Sequence, residues 1–174
     1  MQRETDLPNS LNSLCFAEQL TLWSVRYWAD RYREQDPASN ILKDAYRLAK
    51  VEDGMISLDN FMTLLITGNC RTVDIRCLCC EGISADEWRI LQSLGLAQVG
   101  KKYEIAPLLS SFLEPTSTRL ALPVIRQWSA ALAAAAHWLP IRKQALEVVR
   151  KNFAKASNRS EDTRAAYSAN PIFH

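Results

Sequence analysis

What this chain has little of narrows its function first. Histidine occurs only at His137 and His174, and glycine only five times in 174 residues. The H-E-x-x-H pair of a zinc hydrolase is therefore missing, and there is little material for a phosphate-cradling loop. The nucleophile elbow and the dinucleotide fingerprint are missing too. No catalytic and no cofactor-binding residue is assigned. Charge of one sign is equally scarce: 21 basic against 19 acidic residues leave a net +2, too little to diagnose a polyanionic partner. The most apolar long segment, Leu120 to Leu139, is carried by alanine and interrupted by Pro123, Arg126 and Gln127, so it reads as a core helix and not a membrane span. Near the start, Glu4 and Asp6 stand where a secretory signal needs a basic residue and an apolar run, so the expected location is cytoplasmic.

What is present is the composition of a globular domain, 48% apolar and 23% charged. The expected fold is mainly α: one compact bundle of about six to seven helices over residues 1–156, two or three short β-strands, and a loosely ordered tail at 157–174. Leu14, Leu22, Val25, Trp28, Ala29 and Tyr32 predict a first helix from about Ser13 to Gln35, with Arg26 and Asp30 pairing on its wet side. Asp36-Pro37 starts a second helix to about Lys50, burying Ile41, Leu42, Ala45, Leu48 and Ala49. Ser57 caps a third, ended by Gly68. The alternation in Thr72–Cys77 predicts a strand, and the period-two run around Gly100-Lys101 a small hairpin at 97–105. A brief helix stops at Glu114-Pro115, Pro123 opens a longer one, and a last helix runs from Pro140 to about Lys155. That last helix carries Arg142, Lys143, Arg150, Lys151 and Lys155 against Glu147, a solvated basic face.

The chain is organised around Cys77-Leu78-Cys79-Cys80-Glu81-Gly82-Ile83-Ser84, three thiols running into a helix start. Ser84 and Glu87 have capping-box spacing, Ile83 and Trp88 that of a hydrophobic staple, and Gly95-Leu96 the form of a helix stop. The predicted helix spans about Ala85 to Leu94. Five cysteines, an odd number, suggest free thiols in a reducing compartment. Cys77 and Cys80 form one C-x-x-C pair. Zinc needs about four ligands, so a metal site would recruit from Cys77, Cys80, Cys79 and Cys70, or from His137. A redox pair would exploit the helix start, which favours a thiolate. The plain alternative is that these are small buried apolar residues. His137, in an alanine-rich stretch beside Trp138, is expected to be a hydrogen-bonded structural residue.

Three patches, Glu18-x-Leu20-x-Leu22-Trp23-x-x-Arg26-x-Trp28, Cys77-x-x-Cys80 leading to Ser84-x-Asp86-Glu87, and Leu120-Ala121-Leu122-Pro123, resemble a set of uncharacterised, mostly helical alphaproteobacterial proteins. The resemblance implies that the cysteine-to-helix stretch is a family feature, and carries no activity, cofactor or site.

The expected function is accordingly a non-catalytic protein-interaction or regulatory module with a protein partner. One alternative is a metal- or redox-responsive protein using Cys77 and Cys80, zinc being the candidate metal. Another is a winged-helix-like DNA-binding regulator, its wing at 96–105 laying Lys101 and Lys102 on phosphates; the acidic start of the preceding helix disfavours it.

Overall fold

The computed structural model describes residues 10–35, 40–143 and 145–147. Among them are a 3-10 turn at Leu11–Ser13 and six α-helices: α1 Phe16–Arg33, α2 Asn40–Leu48, α3 Gly54–Thr67, α4 Ala85–Gln98, α5 Lys102–Leu109 and α6 Pro115–Ala134. The fold is mainly helical, and no helix among the described residues is long and apolar enough to cross a membrane.

Helix α4 is the axis. Every residue from Asp86 to Leu96 is buried, so this helix has no wet face and its polar residues need partners inside the protein. Helices α5 and α6 pack against it, α3 packs on α6, and α1 closes the bundle against both α3 and α4. Trp88 is buried as expected, and Ile83 packs against the core. The capping box forms: the Glu87 N–H donates to Ser84 Oγ at 3.0 Å, and the Ser84 N–H to Glu87 Oε2 at 2.8 Å.

The stop, however, comes four residues later than Gly95-Leu96 predicts. Gly95 lies within α4, and its lack of a side chain lets another segment cross, since a Cβ there would come within 3.1 Å of the Leu139 carbonyl oxygen. The turn residue is Gly100, at φ 75°, with the Lys101 N–H bonded to the Leu96 carbonyl and the Gly100 N–H to that of Ala97. This is a Schellman ending. The hairpin predicted at 97–105 is therefore a turn between two helices, because the glycine that looked like a hairpin tip caps a helix instead.

The predicted strand at Thr72–Cys77 joins no ladder either. Three of its backbone groups are held by side chains, the Asp74 and Arg76 N–H groups donating to Asp86 Oδ2 and Glu87 Oε1 and the Asp74 carbonyl accepting from Ser84 Oγ, while the Ile75 N–H turns back on the Val73 carbonyl. Among the described residues the β content is one isolated bridge, Asn69 to Leu113. Alternation found the backbone's demand for partners but not their identity.

Further expectations shift. In α2 the buried pair is Leu42 and Tyr46, four apart, whereas Ile41 is 60% and Leu48 81% exposed. Helix α3 starts at Gly54, with Ser57 buried inside it and not at its cap. Helix α6 begins at Pro115, so Pro123 lies within it; Pro107 likewise lies within α5. The Asp36-Pro37 start and most of the last helix and tail fall outside the described residues. Near the end of the described chain, Gln98 and Gln92 hold the segment that follows α6: Gln98 Oε1 accepts the Leu139 N–H and Gln92 Oε1 the Arg142 N–H, each at 2.8 Å.

Candidate functional site

The chemistry begins with a charged residue on a buried stripe. Leu22, Arg26 and Ala29 share one face of α1, and Arg26 is 1% exposed. Its guanidinium meets Glu87, itself fully buried, through Nε to Oε1 at 2.7 Å and Nη2 to Oε2 at 2.9 Å. The same group donates through Nη1 to the carbonyls of Cys80 at 2.5 Å and Cys77 at 3.4 Å, and through Nη2 to that of Gly82 at 2.7 Å. One arginine thus grips a carboxylate and three carbonyls of the cysteine loop. Glu87 in turn accepts from Arg26, Ser84 and Arg76, so the buried pair is hydrogen-bonded on both sides, which a desolvated ion pair requires.

This corrects the exposed Arg26–Asp30 pair expected from spacing four residues apart; Asp30 pairs with Arg31 instead. Arg26 was findable, because it sits four residues after Leu22 and three before Ala29 on the apolar stripe.

A second buried acid adjoins the first. Asp86 pairs with Arg71 through two bonds of 2.7 and 2.8 Å and with Arg89 at 2.5 Å. Burial pushes the Asp86 carboxyl up, but the hydrogen bonds from Arg71 and the Asp74 N–H and the charges of Arg71 and Arg89 outweigh it, so it lies below the usual carboxylate range. Burial pulls the Arg89 guanidinium down. Asp86 and Glu87 thus do more than favour the helix dipole: they tie residues 71–76 and the thiol loop to the first turn of α4.

Within this frame Cys77 and Cys80 are joined by a disulfide. That departs from the expectation of free thiols throughout. Cys79 is free and exposed, with its Sγ 3.1 Å from Cys77 Sγ. The three sulfurs lie within 4.8 Å of one another. Cys70 is outside this group; its N–H bonds the Phe112 carbonyl and its thiol is free and exposed. The fifth cysteine, Cys15, precedes α1. Burial and the Glu18 carboxylate beside it push its thiol up, so it is the less reactive kind.

His137 binds the Ala49 carbonyl through Nε2 at 2.8 Å and lies against Phe16, a hydrogen-bonded structural histidine as expected, and is not among the residues grouped with Cys77, Cys79 and Cys80. Lys101 and Lys102 sit at the α4–α5 turn, Lys101 beside Glu104 and Lys102 over the Tyr103 ring, so the wing that would have aimed them at phosphates does not exist.

A C-x-x-C bridge with a third thiol in van der Waals reach can exchange disulfides; the same loop, reduced, offers three thiolates to a soft metal. No protein-family model, curated protein or solved structure matches the chain, and the chemistry of this loop rests on its own geometry.

Proposed function

We propose that the protein is a thiol–disulfide-responsive regulatory module whose sensing element is Cys77-Leu78-Cys79-Cys80. The observation that carries this reading is the placement of a free, exposed thiol 3.1 Å from a bridged sulfur, in a loop whose carbonyls are held by a buried arginine. The chemistry is ordinary exchange. A thiolate of a small thiol or dithiol protein attacks one bridged sulfur, the S–S electron pair leaves with the other sulfur, and a second thiol of the reductant resolves the mixed disulfide. Two electrons and two protons end on Cys77 and Cys80, and the reductant leaves oxidised. Cys79 can attack Cys77 in the same way, releasing Cys80 as a thiolate with no net oxidation.

The loop's restraint supplies a readout. Arg26 binds the carbonyls of Cys77, Cys80 and Gly82, so a change in loop geometry on opening the bridge acts on α1 and, through Glu87, on α4. A partner that distinguishes the two loop shapes completes a regulatory role, in keeping with a chain that has no catalytic signature.

Exposing the oxidised protein to glutathione, quenching with acid and mapping the peptides tests the exchange. A loop mixed disulfide and a Cys77–Cys79 isomer are expected, the isomer disappearing in Cys79→Ser. A loop inert to glutathione in the folded protein would rule the reading out.

The convergence of three sulfurs favours a second use, three-thiolate zinc binding by the reduced loop with a fourth position filled from outside. About one zinc per reduced chain, lost on re-oxidation, is its signature; no zinc retained by the reduced protein removes it.

A further inference from the structure

Away from the thiols, a groove of about 430 Å³ opens between α5 and α6. Three cations line it, Lys102, Arg119 and Arg126, and no carboxylate does. The two arginines are exposed, and among the described residues their side chains make no ion pair or hydrogen bond. Other cations of the chain are partnered: Lys101 has Glu104, Arg47 has Asp44, and Arg71 and the buried Arg89 share Asp86. The imbalance is local, since the chain as a whole carries only +2.

The spacing of the cations is regular. Arg119 and Arg126 are seven residues apart on one helix, two turns, or about 10 Å along its axis. Between them the floor is apolar, with Leu122 and Pro123 from α6 meeting the buried Ile105 of α5. Tyr103, 83% exposed, stands at the edge with the Lys102 ammonium over its ring. A phosphate chain has no use for such a floor, whereas an amphipathic protein segment does.

We infer that this groove docks an acidic amphipathic helix of a partner protein. Carboxylates two turns apart on that helix meet Arg119 and Arg126, a third meets Lys102, and an apolar side chain between them rests on Leu122 and Pro123. Arginine suits the role because its planar fork binds a carboxylate through two parallel hydrogen bonds. The inference is independent of the thiol chemistry: it names the surface through which a regulatory module engages its partner.

The probe is a fluorescein-labelled synthetic helical peptide with glutamates on successive turns around leucines, titrated with the intact protein and followed by anisotropy. Saturable binding that weakens with salt is expected, about tenfold weaker after Arg119→Glu with Arg126→Glu and also weaker after Leu122→Asp. The matched reversal Lys43→Glu with Arg47→Glu on α2 should stay within about twofold of the parent. Thermal melts check folding, and Arg119→Gln with Arg126→Gln gives the answer if the reversed pair melts early. The inference is overturned by no binding, by equal losses from both reversals, by equal binding of a peptide with lysine for glutamate, or by tighter binding of duplex DNA than of the peptide.

Discussion

Replacing Arg26 with methionine removes the clamp while leaving the apolar stripe of α1 filled. The side chain makes five hydrogen bonds, two to Glu87 and three to the carbonyls of Cys77, Cys80 and Gly82. Leaving one member of a buried pair behind costs about 3–5 kcal/mol. The carbonyls lie in a partly exposed loop and can recover water, so they add about 1 kcal/mol together. The Ser84 and Arg76 N–H groups still hold Glu87, which keeps the sum from rising further. Arg26→Met is therefore expected to lose about 4–6 kcal/mol in urea unfolding, a large part of the roughly 5–15 kcal/mol of an ordinary domain. The double variant with Glu87→Gln no longer buries an unpaired charge and should be about 2–3 kcal/mol more stable than the sum of the single losses implies. A single loss under about 1 kcal/mol, or additivity within about 0.5 kcal/mol, would refute the buried-pair argument.

Other consequences are equally direct. Asp86 has a depressed folded pKa, so the stability it contributes is present above its unfolded value of about 3.9 and is lost as pH falls through the folded value. Arg71→Ala removes the largest opposing cause and should move acid unfolding, followed by circular dichroism, to higher pH; an unmoved acid limb would contradict this. Gly100→Ala places a Cβ in open space but at φ 75°, and should cost about 1 kcal/mol in denaturant melts from backbone strain alone. Alkylation of the oxidised, folded protein should label Cys70 and Cys79 before Cys15, whose thiol is pushed up, and should leave Cys77 unlabelled until a reductant is added, with Cys80 labelled only as the Cys77–Cys79 isomer releases it. Mass mapping that finds Cys15 fastest would contradict that order.

The helical body was legible because periodicity and caps are local. Ser84, Glu87 and the buried Trp88 announced α4 from sequence alone, and α1 follows its predicted bounds closely. What was not legible depends on contacts between distant segments. Gly95 looks like a stop, yet its purpose is room for the Leu139 carbonyl, more than forty residues on. Residues 72–77 have the alternation of a strand, but the side-chain groups that hold three of their backbone groups are the carboxylates of Asp86 and Glu87 and the hydroxyl of Ser84. Of the four cysteines the spacing brings into question, Cys77, Cys79 and Cys80 come together and Cys70 does not, while Arg26, which holds the loop, reads from its spacing to Asp30 as a solvent-facing residue. A charge on an apolar stripe is the signal that would have found Arg26, since such a position demands a buried partner.

An equilibrium titration of the folded protein in glutathione buffers, with Cys77 and Cys80 quantified by differential alkylation, tests the central claim most directly. A bridge closing only four residues constrains the unfolded chain by about 2 kcal/mol, against nearly 5 for a long loop, and this one has an exposed thiol beside it. The account predicts reversible opening, with a midpoint above about −300 mV, within reach of cellular thiols. A bridge that stays closed throughout that range, or one that never forms in the oxidising buffers, would contradict it.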